Sequence, residues 1–191
     1  MFRQPRTGLV IASEVAGAAE PTDEELLRRV SAGDERAFGL LAGRLAPVLR
    51  RVMFRLGLTE AEVEDALQEA LIRIWRGSPD FAGRSAVSTW ACRIALNQGI
   101  SLLRARRSTP DQQPAVGFDT EAAWESRRQA EAVRQAVMAL PVRLRAVIVL
   151  REFEALPYRT ISEILNIPIG TVMSRLHDAR ARLRSRLQPM V

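Results

Sequence analysis

Lysine is missing from this sequence, so all 28 basic side chains are arginine. They are opposed by 22 acidic side chains, which leaves a formal net charge of +6 over 191 residues. Because a guanidinium group pairs with phosphate in a planar, bidentate geometry, an arginine excess is typical of proteins that bind polyanions. A GC-rich genome produces the same bias, and composition alone does not choose between these two interpretations.

Cysteine and histidine each occur once, as Cys92 and His177. A single cysteine excludes a disulfide framework and a zinc site built on several cysteines. A single histidine excludes a His-rich metal site and disfavours a Ser-His-Asp hydrolase. No phosphate-binding loop or nucleophile–base pair is evident either. We therefore expect a protein that is not an enzyme and that uses no metal, other cofactor or small-molecule substrate.

Long apolar runs are also absent, since no stretch approaches the ~20 residues that a membrane-spanning helix needs. The apolar residues 9–12 form a run too short for the core of a signal peptide, and Ser13 and Glu14 end it. These features predict no membrane insertion and a reduced, cytoplasmic location.

What the sequence does contain is apolar periodicity of three to four residues, without the alternation that marks strands. Side chains suited to capping helix N-termini precede four such segments in the first half of the chain: Thr22 with Glu25, Asp34, Thr59 with Glu62, and Ser88. On the fourth segment, Arg93, Asn97, Ser101 and Arg104 share one face, and Ala91, Ala95 and Leu102 are expected on the buried face. The pattern predicts a four-helix unit.

Residues 108–126 differ in composition, because they hold two prolines, a glycine, four acids and no arginine. Such a stretch is typical of a flexible linker. Helical periodicity resumes near Arg127, with Ala130, Val133, Val137 and Leu140 on one face. Thr160 and Glu163 suggest another capping box before a short helix, which a turn separates from a longer final helix. That order is a helix-turn-helix pattern.

The predicted fold is therefore all-α, with two small helical domains joined by a flexible acidic linker. We expect a disordered tail over residues 1–21, a first domain over 22–107, the linker over 108–126 and a helix-turn-helix domain over 127–191.

Charge is segregated along the chain. Residues 60–69 hold five acids and no arginine, whereas residues 84–107 hold five arginines and no acid. Residues 170–191 hold five arginines against Asp178 alone. Favourable interaction with the helix dipole explains Glu60 and Glu62, in the first turn, better than Asp65 and Glu69. The acidic and basic segments thus indicate two partners of opposite charge.

Three motifs carry a family resemblance. Residues 65–76, DALQEALIRIWR, resemble the D-x-x-Q-E-x-x-x-x-x-W block of bacterial sigma factors, and residues 88–97, STWACRIALN, resemble the block that follows it. Residues 167–177, IPIGTVMSRLH, resemble the I-P-x-G-T-V-x-S-R-L block of their second DNA-binding domain. The motifs occur in the family's order, and the size and missing middle domain resemble the extracytoplasmic-function (ECF) group of the sigma-70 superfamily.

The resemblance implies roles for three sets of residues. The set that would dock on core RNA polymerase, at the β′ clamp helices and with further contacts to the β subunit, is Asp65, Gln68, Glu69, Arg73 and Trp75. The set that would hold the melted −10 element of promoter DNA is Arg84, Ser85, Ser88, Thr89, Trp90, Arg93 and Asn97. The set that would read the −35 element in the major groove is Thr171, Met173, Ser174, Arg175 and His177.

The function that the resemblance implies is that of an alternative sigma factor, which binds core polymerase and directs promoter-specific initiation. It also implies an anti-sigma partner, able to hold the chain at the inner membrane. A different hypothesis from the residues is a free-standing helix-turn-helix regulator with a helical dimerisation domain. That alternative leaves the acidic residues 60–69 and Trp90 without a role.

Overall fold

The computed structural model describes residues 20–106 and 124–188, with side chains described from residue 130 onward in the second range. Most of the expected tail and most of the expected linker lie outside these residues. Every regular element that the structure describes is helical. The α-helices are α1 (Asp23–Ser31), α2 (Glu35–Leu56), α3 (Glu60–Gly77), α4 (Val87–Arg106), α5 (Trp124–Met138), α6 (Val142–Ile148), α7 (Tyr158–Leu165) and α8 (Ile169–Leu187).

Polar side chains start the first three helices as predicted. The Thr22 hydroxyl accepts a hydrogen bond from the Glu25 amide at 3.2 Å, and the Glu25 carboxylate accepts one from the Thr22 amide at 2.8 Å. Thr59 and Glu62 repeat this arrangement before α3. Asp34 caps α2 by accepting from the Ala37 amide at 3.0 Å. Each cap satisfies backbone amides that have no partner inside the helix.

Two predicted caps are wrong. Helix α4 begins at Val87, one residue before Ser88, and the Ala86 carbonyl accepts from the Trp90 amide at 3.1 Å. Helix α7 begins at Tyr158, so Thr160 lies within its first turn, and the Pro157 carbonyl accepts from the Ile161 amide at 3.0 Å. At both starts the first acceptor is a backbone carbonyl and not a capping side chain. Burial of apolar side chains stabilises both helices.

The N-terminal domain, α1–α4, buries the apolar stripes that periodicity predicted, with one exception. Ala91 and Ala95 of α4 are buried, but Leu102 is 39% exposed, and Leu103 at 7% occupies the core instead. Between α2 and α3, the Phe38 and Trp75 rings meet edge to face, with 5.1 Å between centroids. A 3-10 turn over Ser78–Asp80 then leads into the loop before α4.

The C-terminal domain, α5–α8, contains the predicted helix-turn-helix in α7 and α8. Asn166 ends α7 in the left-handed conformation, with φ of 50°, as expected for a short polar residue at that position. Helix α5 starts at Trp124, three residues before the predicted point, and Val137 is buried near its end whereas Val133 is exposed. Helix α6 passes into a π-helical turn over Val149–Phe153.

The two domains pack against each other. Helix α7 contacts α4, and the π-helical turn contacts α2. Buried apolar side chains of both domains form one continuous cluster, which includes Leu49 and Val52 from α2 and Ile161 and Ile164 from α7. The structure is thus a closed arrangement of two helical domains.

Candidate functional site

The outer face of α3 gathers most of the predicted polymerase-docking residues. Asp65, Gln68 and Arg73 are exposed and Glu69 is half-exposed, at spacings that place them on one side of the helix. Arg73 Nε donates to Glu69 Oε1 at 2.7 Å, four residues away. Ile72 lies among them and is 38% exposed. This α3 face therefore combines acidic, polar and apolar groups that the fold leaves accessible.

Trp75 takes a different position from the other four docking residues. It packs against Phe38 at the edge of the core and therefore supports the α3 face without lying on it. Gln98 of α4 also lies beside Arg73. With the Gln98 amide assigned so that its oxygen faces the guanidinium, that oxygen accepts hydrogen bonds from Arg73 at 3.0 and 3.1 Å. These contacts fix α3 relative to α2 and α4.

The acids at the start of α3 are partly committed to structural contacts. Glu62 closes the capping box with Thr59. Glu64 accepts two hydrogen bonds from Arg50 of α2, at 2.7 and 2.9 Å, and this ion pair holds the pKa of the Glu64 carboxyl below its usual value. Asp65 has no ion-pair partner among the residues that the structure describes. The cluster therefore divides into acids that stabilise the fold and acids that face outward.

Most of the predicted −10 residues line a cleft between the loop that follows α3 and the first turns of α4. Trp90 packs against Phe81 with 5.1 Å between ring centroids and 52° between planes, so it is both packed and cleft-lining. The predicted residues that line the cleft are Arg84, Ser85, Thr89, Trp90 and Arg93.

The other two predicted −10 residues lie outside this cleft. Asn97 is exposed on α4 one turn beyond Arg93, where it extends the same polar surface. Ser88 instead lines a second, narrow crevice between the domains, together with Leu45, Val48 and Ile164. Glu163 and Asn166 of α7 complete the lining of the cleft itself. The structure therefore brings five of the seven residues together and adds two from the C-terminal domain.

The predicted −35 residues occupy the first two turns of α8. Met173 is 53% exposed, Ser174 and His177 are exposed, and Thr171 and Arg175 are half-buried beside them. The Ser174 hydroxyl donates to the Thr171 carbonyl at 3.2 Å. The opposite side of the helix is held in the core by Val172, Leu176 and Ala179. All five candidates thus share the surface of α8 that faces away from the core.

Farther along α8, Arg180 is tied to its own domain. Its guanidinium donates to Glu152 at 2.6 and 3.1 Å, and the hydrogen bond to Glu152 raises the pKa of Arg180. Since Glu152 belongs to the π-helical turn, this half-exposed ion pair links α8 to another element of the same domain.

Two family models match the chain, "Sigma-70 region 2" over residues 41–109 and "Sigma-70, region 4" over residues 130–183. The RNA polymerase sigma-H factor of Pseudomonas aeruginosa is 36% identical over 184 residues, covering 88% of this chain and 95% of that protein. The ECF RNA polymerase sigma-E factor of Escherichia coli strain K12 is 35% identical, covering 89% and 96%. The chain belongs to the ECF group of the sigma-70 family.

Solved structures agree with this membership. CnrH in complex with the cytosolic domain of CnrY matches with a TM-score of 0.68 and 26% identity, covering 87% of this sigma factor and 97% of that chain. The sigma factor RpoE of Bartonella quintana, solved with the anti-sigma factor NepR, matches with a TM-score of 0.62 at 23% identity, covering 75% and 92%. The second likeness bears on the fold alone.

Family membership makes the chain an alternative sigma factor that directs transcription initiation, and it does not favour the free-standing regulator. Among the described residues, no helix is both long and apolar enough to cross a membrane. Those residues also contain no cluster of side chains that would hold a metal ion.

Sequence reasoning missed two residues at these surfaces and one buried between the domains. Ile72 is one of the two, and its helical register, between Glu69 and Arg73, is the signal that places it on the α3 face. Its side chain is 38% exposed there. Gln98 carries no signal in the sequence, because its partner Arg73 lies on another helix. Glu154 is buried at the contact between the domains, and nothing in its neighbouring residues indicates a partner 103 positions away.

Proposed function

We propose that this sigma factor is a dissociable initiation subunit with no catalytic chemistry of its own, acting in the cytoplasm. The observation that carries the proposal is the α3 face. Asp65, Gln68, Glu69, Ile72 and Arg73 are held at fixed spacing on a rigid helix, and the fold leaves them accessible. An exposed isoleucine among charged side chains suits a protein contact in which the charges select the partner.

The chemistry of the α3 face suits a basic helical partner, and the β′ clamp helices of core RNA polymerase are the partner we propose, with further contacts to the β subunit. Asp65 and Glu69 would attract a positively charged surface and disfavour contact with DNA. Ile72 would supply the apolar centre of the contact, and Trp75 and Gln98 would keep the helix in position.

The cleft beside Trp90 suits single-stranded DNA. An aromatic ring next to arginine side chains offers both a stacking surface and neutralisation of phosphate charge. We propose that Arg84, Ser85, Thr89, Trp90 and Arg93 hold a −10 base taken out of the duplex, with Asn97 extending the contact along α4. Ser88 is assigned a smaller part, because it lines the crevice and not the cleft.

The start of α8 suits the major groove of duplex DNA. In helix-turn-helix proteins, the N-terminal residues of the second helix contact base edges. Thr171, Met173, Ser174, Arg175 and His177 share that position, and we assign them to the −35 element. Two such reading domains on one linker over residues 108–126 act bivalently, with an effective concentration near ~mM for short flexible linkers.

An anti-sigma factor is the second protein partner that we propose. The matched CnrH and Bartonella quintana RpoE chains were each solved with a partner protein, CnrY or NepR. A partner of this kind would mask the α3 face and the DNA surfaces together, and one anchored in the inner membrane would hold the sigma factor there.

Binding to purified core polymerase tests the proposal directly. The tagged full-length sigma factor should retain the core subunits from a purified preparation at physiological salt and release them to an excess of untagged chain. A chain that is folded by circular dichroism and yet retains no core subunits would contradict the proposed role.

A further inference from the structure

One acidic side chain is buried where the two domains meet. Glu154 is only 4% exposed and lies between the π-helical turn and α7. Its carboxylate accepts hydrogen bonds from Arg51 at 2.8 and 3.2 Å and from Arg55 at 2.6 Å, and both arginines belong to α2 of the other domain. A buried carboxylate is tolerated only with partners of this kind, so the ion pairs and the closed arrangement require each other.

The surroundings of Glu154 strengthen this contact. The Arg55 guanidinium also lies over the Phe153 ring, 5.1 Å from its centroid. Ala155, which follows Glu154, has φ of 54°, a left-handed conformation that costs free energy for an alanine. The ion pairs of the neighbouring Glu154 with Arg51 and Arg55 help to hold the turn in this unfavourable backbone conformation. We call Glu154, Arg51 and Arg55 the interdomain clasp.

A second contact lies near the end of α2. The Arg145 guanidinium of α6 donates to the Leu56 carbonyl at 2.6 Å and to the Leu140 and Met138 carbonyls of its own domain. It thereby joins the C-terminal end of α2 to the loop before α6. Carbonyls at a helix end lack partners inside the helix, so they are good acceptors for an arginine.

The closed arrangement also narrows access to the cleft that we assign to the −10 element. Helix α7 packs against α4, and Glu163 and Asn166 form one wall of the cleft that Arg84, Trp90 and Arg93 line on the other side. A single strand of DNA entering this cleft would meet α7. The Glu163 carboxylate would also repel its phosphates.

We propose that the interdomain clasp holds the free sigma factor in an autoinhibited state, in which α7 obstructs the single-stranded DNA site from one side. Opening of the clasp removes this obstruction. The identity of the obstructed site rests on the proposed function, whereas the closed state itself rests on the contacts above. In a two-state equilibrium, the apparent affinity is the affinity of the open state multiplied by the fraction of molecules that are open. Breaking the clasp therefore raises affinity for DNA without any new contact.

The first arm of the test measures opening. Cysteines introduced at the exposed Ser31 of α1 and Ser185 of α8 carry a donor and an acceptor dye on the full chain. Cys92 is replaced by alanine in every labelled protein, because it lines the crevice between the domains and opening would expose it to the dyes. We expect Glu154→Gln to lower energy transfer relative to the wild-type clasp. Arg51→Gln combined with Arg55→Gln should lower it further, since closure would then bury an uncompensated carboxylate.

The second arm measures access to the cleft, by fluorescence anisotropy with a short labelled oligothymidine. We expect Glu154→Gln to bind roughly tenfold more tightly than wild type. Glu152→Gln is the matched control. It removes the same charge two residues away, from an ion pair with Arg180 inside one domain, and should leave both readouts unchanged. Adding Arg93→Ala to Glu154→Gln should abolish the gain.

Two results would overturn the inference. One is unchanged energy transfer in both clasp variants. The other is opening without tighter DNA binding than in Glu152→Gln, which would mean that the closed state obstructs no DNA site. Binding of wild type to core polymerase is scored separately, so failure of the clasp is distinguishable from failure of the proposed function.

Discussion

Gly57 shows how one residue serves both a helix and a domain contact. It ends α2 in the left-handed conformation, with φ of 103°, where glycine has no steric penalty. A methyl group on its Cα would also collide with the Arg145 guanidinium and the Met138 sulfur of the other domain. The helix end was predictable from the glycine itself. The close approach of Arg145 was not, because it depends on tertiary packing.

Substituting Gly57 should therefore cost more than its conformation alone explains. Gly33 is the matched control, since it has φ of 88° and a methyl group on its Cα would meet no atom within 4 Å. Both alanine variants should lose ~1–2 kcal/mol from left-handed strain. Gly57→Ala should lose about 1 kcal/mol more, because it displaces hydrogen bonds of Arg145. Urea unfolding measures both, and equal losses would argue against the contact.

Asp34 gives a pH-dependent prediction. Its hydrogen bond from the Ala37 amide, helped by Arg29, holds the pKa of its carboxyl below the ordinary 3.8. On acidification the unfolded chain takes up this proton first, so the stabilisation is complete above the ordinary pKa. It disappears as pH falls through the lower, folded value. Wild type should therefore exceed Asp34→Ala in stability at neutral pH, and the difference should shrink below pH 3.8.

Denaturant unfolding of both proteins across that pH range provides the measurement. Other carboxyls titrate equally in the two proteins and cancel in the difference. A stability difference that stays constant with pH would show that the cap does not depend on the ionised carboxylate.

At the scale of elements, the sequence predicted helices well wherever a side chain makes the cap. The pairs before α1 and α3 and the aspartate before α2 satisfy local geometry, so three or four residues contain the whole signal. Helices α4 and α7 start from backbone carbonyls, and their starts were misplaced for that reason. Similarly, Leu102 and Leu103 are adjacent, and only packing against the other helices decides which of them is buried.

The α3 face gives a prediction about binding to core polymerase. Glu69→Arg removes the ion pair with Arg73 and reverses the charge at the centre of the α3 face. We expect core polymerase binding to fall at least ~10²-fold, since like charges across an interface cost several kcal/mol. Binding of the full chain to duplex DNA should persist. The measurement is a titration of labelled sigma factor with core enzyme.

Glu60→Arg is the control for this reversal, because it makes the same charge change in the first turn of α3, away from the α3 face. It should retain most of the binding to core enzyme. If both variants bind core polymerase as wild type does, the α3 face is not the docking surface. If Glu69→Arg loses DNA binding as well, the substitution disrupts the fold and does not report on a contact with polymerase.

At the scale of the whole molecule, the net charge of +6 is the sum of segregated surfaces. The acidic α3 face and the basic α4 and α8 surfaces suit different partners, a division that was visible in the sequence. The closed arrangement was not visible there. Glu154 lies 103 residues from Arg51 and 99 from Arg55, and no local pattern relates it to them. The motifs therefore predicted the surfaces but not how one domain covers part of another.

Run-off transcription tests the central claim most directly. Purified core polymerase, genomic DNA fragments and this sigma factor are combined, and RNA 5′ ends are mapped. Initiation at defined sites that share one −35 and −10 pair, and that vanish without the sigma factor, is the predicted result. Core enzyme that gives the same 5′ ends with and without the chain would contradict the account.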